Sequence, residues 1–243
     1  MKTIFHSAES RGHANHGWLD TWHTFSFANY MNQDRVNFGV LRVLNDDTIQ
    51  PGMGFGTHPH RDMEIITIPL EGDLEHKDST GTTGVIKKGE IQVMSAGTGV
   101  MHSEYNHNHD KEVKLLQIWV FPRALNLEPR GEQMSIREHS VKNDFQQIVS
   151  PEKNDKGLWI NQDAWFSLAE FDKGFSKEYK IKKEGNGVYV FVIKGEVETE
   201  GQKLGLRDGF GIWDTDSFTL KATEDAEILL MDIPMELPSF LRN

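Results

Sequence analysis

The 243-residue chain has no cysteine. That absence excludes disulfides, zinc–thiolate sites and thiol nucleophiles together. No run approaches the ~18 uninterrupted apolar residues of a membrane span. The start, MKTIFHSAESRGH, has no apolar stretch after its lysine, so no secretory signal is read and a cytoplasmic location is expected. Positive charge is scarce as well: 26 basic against 37 acidic residues leave a net charge of −11. A protein that grips phosphates needs a positive field, so direct nucleic-acid binding is not expected. The most basic stretches, IKK at 86–88 and YKIKKEG at 179–185, read as solvated strand faces. Histidine is unevenly spread. His139 is the last of eleven, which leaves the end of the chain without an imidazole.

Helical periodicity is weak almost everywhere. Short runs rich in β-branched and aromatic residues take its place: FGVLRVL, MEIITIPL, GVIKKGEIQVM, VKLLQIWVF, VYVFVIKGEVETE, FGIW and EILLMDI. Glycine- or asparagine-containing turns separate them, the pattern of an all-β sandwich or barrel. The closing PSFLRN is too short to weigh as a helix. Two segments also align loosely, ITIPLEGDLEHKDSTGTTGVIKKGEIQVMSAG and VFVIKGEVETEGQKLGLRDGFGIWDTDS. Each reads strand, glycine (Gly72 or Gly195), polar strand, turn, short apolar run, glycine (Gly89 or Gly209), strand. A duplicated β unit suits the length, with the join in FPRALNLEPRGEQ, where proline and charge interrupt the pattern. Two β domains are expected, 1–130 and 131–243, and only the first can hold an imidazole site.

That site is expected in GFGTHPHRDMEI, residues 54–65. His58 and His60 stand two apart. In a strand such residues project from one face, roughly 6.5–7 Å apart along the chain. In a helix the same spacing turns them about 200° apart. The strand-like MEIITI that follows favours a strand, with Pro59 facing away at an edge or strand start. A second pair, His102 and Glu104 in SAGTGVMHSEYNHNHD, repeats the spacing. Three imidazoles and a carboxylate from two inward faces suit a first-row divalent metal with open positions, iron(II) first, with manganese, nickel, copper or zinc as alternatives.

A lone histidine is more often a surface or satisfied core residue than a ligand. Two spaced pairs, each after a glycine-rich turn, favour a metal. His107 and His109 share the spacing but sit in YNHNHD, a string of turn formers, and are expected in solvent. His6, His13, His16, His76 and His139 are given no role. Trp22, His23 and Phe25 in WHTFSF read equally as pocket lining or as a buried aromatic cluster. GMGFGT begins like a dinucleotide fingerprint, but Thr57 replaces the last glycine and no helix follows. GTTG lacks a phosphate-loop lysine, and no Gly-x-Ser-x-Gly motif occurs.

Gly52, five residues, then His58-Pro59-His60, three residues and Glu64 resembles the first cupin motif. Gly89 through His102 resembles the second, with Ser95 where many cupins have proline and two extra residues before the histidine. GWLDTWHTFSFANY, PGMGFGTHPHRDMEIITIPLEGDLEHKDSTG, MSAGTGVMHSEYN and LLQIWVFP resemble the pirin family over about the first half of the chain. The resemblance implies a bicupin of two facing jelly-roll barrels, with one mononuclear metal in the N-terminal barrel held by His58, His60, His102 and Glu104. Archetypal cupins use the glutamate matching Glu64 as a ligand. The closer family instead implies that Glu64 sits behind the ligands. Some pirin-like proteins are similar to quercetinases, which implies a dioxygenase acting with O2 on a flavonol or related phenol, with Glu104 taking the substrate's hydroxyl proton. The other implied role is a metal-binding co-regulator with a protein partner. A metal-dependent sugar isomerase or a different cupin dioxygenase is a third. A bicupin already pairs its own barrels, so a monomer is expected.

Overall fold

The computed structural model describes residues 1–137 and 140–242. His139 lies outside the described residues.

Four sheets build two facing barrels. In the first half a seven-stranded sheet runs, edge to edge, through β12 (Arg130–Ser135), β9 (Glu90–Ser95), β6 (Glu64–Glu71), β11 (Val113–Val120), β4 (Leu41–Ile49), β3 (Leu19–His23) and β2 (Gly12–Asn15). Its companion is a four-stranded sheet of β5 (Gly54–His60), β10 (Val100–Asn106), β7 (Asp73–Asp78) and β8 (Thr83–Lys87). The second half repeats this order. Its large sheet runs β1 (Lys2–His6), β20 (Gly209–Trp213), β17 (Asn186–Lys194), β22 (Ala226–Pro234), β15 (Trp165–Phe171), β13 (Phe145–Ser150) and β14 (Leu158–Trp159). Its small sheet runs β16 (Ser176–Lys180), β21 (Ser217–Ala222), β18 (Val197–Thr199) and β19 (Gln202–Leu204). The architecture is the expected jelly-roll pair, and the loose alignment of the two segments is a real repeat.

Gly72 and Gly195 occupy the same turn, after β6 and β17, and both have φ +74°. Gly89 and Gly209 are offset. Gly89 sits at φ +82° in the turn before β9, whereas Gly209 is the first residue of β20. The FGVLRVL run becomes a strand only at Leu41, because Phe38 and Leu41 close a tight turn on each other around Gly39, at φ +50°. PSFLRN holds a single 3-10 turn, Ser239–Leu241. Among the described residues no helix is long and apolar enough to cross a membrane.

The halves exchange strands. β1, from the start of the chain, pairs with β20 in the second large sheet. β12, at the end of the expected join, returns to pair with β9 in the first. Each large sheet thus has an edge covered by a strand from the other side of the repeat, which occupies backbone groups that would otherwise invite pairing.

Strand alternation then divides the core. One face of the first large sheet carries Leu44, Ile66, Ile68, Ile91, Val93, Leu116 and Ile118, packed against Ile148, Phe166, Tyr189, Phe191, Leu229, Met231 and Ile233 from the second. This dry seam holds the barrels together, at roughly 25 cal/mol for each Å² of apolar surface buried. β17 is buried on both faces, hence its unbroken GVYVFVI. The opposite face of each large sheet lines its own barrel, and there the halves part company.

Candidate metal centre

β5 is the edge of its small sheet, and its Pro59 points outward into solvent, where a missing N–H costs no ladder bond. β10 alternates cleanly. Val100, His102, Glu104 and Asn106 are buried, while Met101 and Tyr105 are exposed. The strands pair antiparallel, with His102 opposite His58 and Val100 opposite His60; the register then slips, so that Glu104 lies opposite Phe55. This bulge falls between the histidine and the glutamate. A Cβ on Gly54 would come within 2.2 Å of the Glu104 carbonyl oxygen, so only glycine permits the close approach of β5 at that point.

The three imidazoles converge. Ring centroids lie 4.9 Å apart for His58–His60, 4.3 Å for His58–His102 and 4.7 Å for His60–His102. One nitrogen of each lies within 4.8 Å of the others. His58 donates its Nδ1–H to the Gly56 carbonyl at 2.8 Å, leaving Nε2 with a free lone pair. Burial, then the neighbouring His58, lowers the His60 pKa to about 4. Burial, followed by the surrounding imidazoles, lowers that of His102 to about 2. All three rings are therefore presented as ligands need to be. His102 Nε2 is buried with no hydrogen-bond partner, a cost of about 1–3 kcal/mol for an unsatisfied polar atom that a ligand bond would offset. The donor set fits a divalent transition metal.

Glu104 is placed differently. It is buried and does not join the group of converging nitrogens; both its oxygens accept from the Gln117 amide, at 3.2 and 3.1 Å. Gln117 in turn accepts from the Thr67 hydroxyl at 3.2 Å. Burial raises the Glu104 pKa to about 7, against the opposing pull of the Gln117 hydrogen bond. Gln117 belongs to a buried polar row, His23, Asn45, Gln117, Thr67 and Gln92, lying side by side on five adjacent strands. One step along, Asp47 accepts from the Thr21 hydroxyl, and burial raises its pKa to about 7.

Glu64 sits elsewhere than behind the ligands. It shares the face of Ile66 and Ile68 that meets the second half. Its oxygens accept from Ser95 at 2.6 Å and Asn161 at 3.2 Å. Burial raises its pKa. The parity that would have turned it inward is broken in the Arg61–Met63 turn, where Asp62 adopts φ +49°. His107 and His109 are exposed, as expected. The WHTFSF residues separate: Trp22 stacks on His13 at 4.1 Å, Phe25 joins the seam between the barrels, and only His23 turns inward, to Asn45 at 2.8 Å. Sequence reasoning missed Trp119, which packs edge-on against His60 at 4.8 Å and against Phe27 at 5.3 Å. The alternation Leu115, Gln117, Trp119 on β11 was the available signal. A cavity of about 630 Å³ between the halves, lined by Ile68, Ile136, Leu168 and Ile193 among others, touches none of the triad.

Paired jelly-roll barrels with an imidazole triad inside one of them define a bicupin. The pirin family signature matches residues 4–120, and that of the quercetinase C-terminal cupin domain matches residues 147–233. The chain belongs to the pirin family. It is 45% identical to quercetin 2,3-dioxygenase of Escherichia coli K12 over 227 residues, 93% of this chain and 96% of that one. It is 39% identical to a pirin-like protein of Caulobacter vibrioides over 222 residues, 91% and 95% of the two chains. Among solved structures, the bacterial pirin YhhW from Escherichia coli in complex with nickel(II) superposes with a TM-score of 0.91 at 43% identity, covering 96% of this chain and 99% of that one.

Proposed function

We propose that the protein is a cytoplasmic, monomeric, metal-dependent dioxygenase that cleaves quercetin or a related phenol with O2. In this reading His58, His60, His102 and Glu104 hold one divalent metal, iron(II) foremost. The observation that carries it is the convergence of three imidazoles, with His60 and His102 held neutral by burial, in a chain whose relatives are named quercetin 2,3-dioxygenase. The metal would supply Lewis acidity, lowering the pKa of a substrate hydroxyl bound to it.

The chain's own residues do the rest. His58 is held in one tautomer by the Gly56 carbonyl, so its ligand atom is oriented before any metal arrives. Glu104 is the carboxylate next to the triad, held by the Gln117 amide, and is the group placed to accept the substrate's hydroxyl proton. As a ligand Glu104 would give up part of its contact with Gln117, whose amide then steadies the remaining oxygen. Trp119 and Phe27 offer an aromatic wall beside His60, against which a planar phenol can stack while water is kept out.

The test is loss of the quercetin absorbance band in air, with protein reloaded with iron(II), beside a His58→Ala control. Oxygen-dependent turnover absent from the control supports the reading. Bound metal with no turnover of quercetin or other phenols overturns it in favour of the co-regulator role.

A further inference from the structure

His76 has no part in the ligand set, yet it is a buried side chain in direct contact with one of the three imidazoles. It lies on β7, opposite Glu104 of β10, and is 1% exposed. Its Nε2 is 3.2 Å from His102 Nδ1, with ring centroids 5.3 Å apart. Two neutral imidazoles at that distance share one proton, and only two assignments exist. If His76 Nε2 carried it, His102 would be protonated on Nε2 and would turn an N–H, buried and without acceptor, into the triad. If His102 Nδ1 carries it, His102 Nε2 is a bare lone pair directed among the other imidazoles. Each arrangement leaves one buried N–H without a partner, on His102 Nε2 in the first and on His76 Nδ1 in the second, and only the second leaves His102 Nε2 free to act as a ligand.

We propose that His76 is a positioning residue for the metal centre, accepting the Nδ1–H of His102 on its own Nε2 and so fixing the tautomer in which His102 Nε2 is a ligand. Gly56 plays the same part for His58 with a backbone carbonyl. His102 stands on a central strand of the small sheet, where the carbonyls are spent on the ladders to β5 and β7. A side chain must act there instead. Asp78, opposite His102 in the ladder, lies beside the pair. Its Oδ1 accepts from Thr80 N at 2.9 Å, Thr80 Oγ1 at 2.6 Å and Thr82 N at 3.1 Å, and its Oδ2 lies 4.0 Å from His76 Nε2. The turn after β7 thereby pins the end of the strand that carries His76. The inference rests on the triad being a metal centre.

The experiment pairs zinc(II) affinity, by competition with a chelator, with nitrogen-15 NMR of the histidine rings in the zinc-loaded protein. His76→Leu removes the acceptor and is expected to weaken zinc binding about 10- to 100-fold. His76→Gln keeps an acceptor oxygen and is expected to restore affinity to within about threefold of the parent. Wild type and His76→Gln should show His102 protonated on Nδ1, a signature that loss of packing alone would not give. Full affinity in His76→Leu, or a His102 that carries its proton on Nε2 in the wild type, overturns the proposal. The second result needs no variant to fold. If His58→Ala binds zinc as well as the parent, the metal reading itself falls. If His58→Ala loses zinc while His76→Leu keeps it, only the role of His76 falls.

Discussion

The two barrels share one strand order and differ in what fills them. The first is lined by His102, Glu104, Gln117, Thr67, Asn45, Asp47 and His76. The second packs Phe171, Tyr179, Val188, Val190, Phe210, Phe218, Leu220 and Ile228 into the equivalent space. Its main buried charge, Asp232, is fully satisfied by Asn186 at 2.7 Å, the Lys182 amide at 2.7 Å and Tyr179 at 3.2 Å. The fold therefore dictates neither interior. A jelly roll presents inward positions on alternate residues; filled with apolar side chains they make a core, and filled with imidazoles and amides they make a site. The polar barrel keeps a smaller apolar cluster of its own, Leu19, Ile49, Leu74, Ile86, Val113 and Leu115, beside the seam it shares with its neighbour.

The sharpest way to break this comparison is to exchange the consequences of a deletion. His60→Ala should lower metal affinity by at least about 100-fold while leaving the unfolding midpoint in urea nearly unchanged, because His60 is only half buried. Metal titration and denaturation on the same sample decide it. Phe218→Ala should do the opposite. It empties a buried ring packed on Tyr179 at 5.6 Å, should cost about 3–5 kcal/mol, and should leave metal affinity intact. Equal effects of the two changes on stability would erase the distinction between site and core.

The matched turns allow a finer test. Gly72→Ala and Gly195→Ala each place a Cβ at φ +74° and against backbone oxygen, 2.7 Å from Glu112 O and 2.1 Å from Asp225 O. Each should destabilise by at least about 1–2 kcal/mol, slightly more at Gly195, and calorimetry of both variants would measure how far the repeat extends into energetics.

A pH-dependent effect concerns the exchanged strand. His6 of β1 contacts Tyr189 OH at 2.8 Å, and burial, then Arg35, lowers its pKa to about 4. The unfolded chain takes up a proton near pH 6.5 and the folded one only near 4, so His6 favours folding above pH 6.5 and this contribution is lost as pH falls towards 4. His6→Gln, which can still bond Tyr189, should flatten that part of the stability profile. An unchanged slope would mean that His6 does not hold the strand in the way its burial implies.

How legible was all this? Strand runs such as VKLLQIWVF and EILLMDI, and the repeat around Gly72 and Gly195, were readable because β-branched alternation and a glycine-bearing turn are local properties. Irregular or short strands were not. β12 and β1 carry no strong apolar pattern, and nothing in RGEQMS or KTIFH says which sheet will receive it. The site divides in the same way. His58 with His60 and His102 with Glu104 could be paired from i, i+2 spacing, whereas Gln117, Trp119 and His76 reach them from other strands with no local spacing to mark them.

The sequence by itself determined the all-β class, the doubling, the gathering of the spaced histidine pairs in the first half and the pairing of histidines on one strand face. Alternation assigns residues to the same or opposite faces over a few positions, and that needs no knowledge of the rest of the chain. Tertiary structure alone decided which face was inward once a turn intervened. Asp62, at φ +49°, sends Glu64 to the seam and away from the imidazole triad. It also decided that Glu104 rests on Gln117 and that His76 meets His102. Hydrogen bonds between side chains on different strands depend on register, and register is set by the packing of whole sheets.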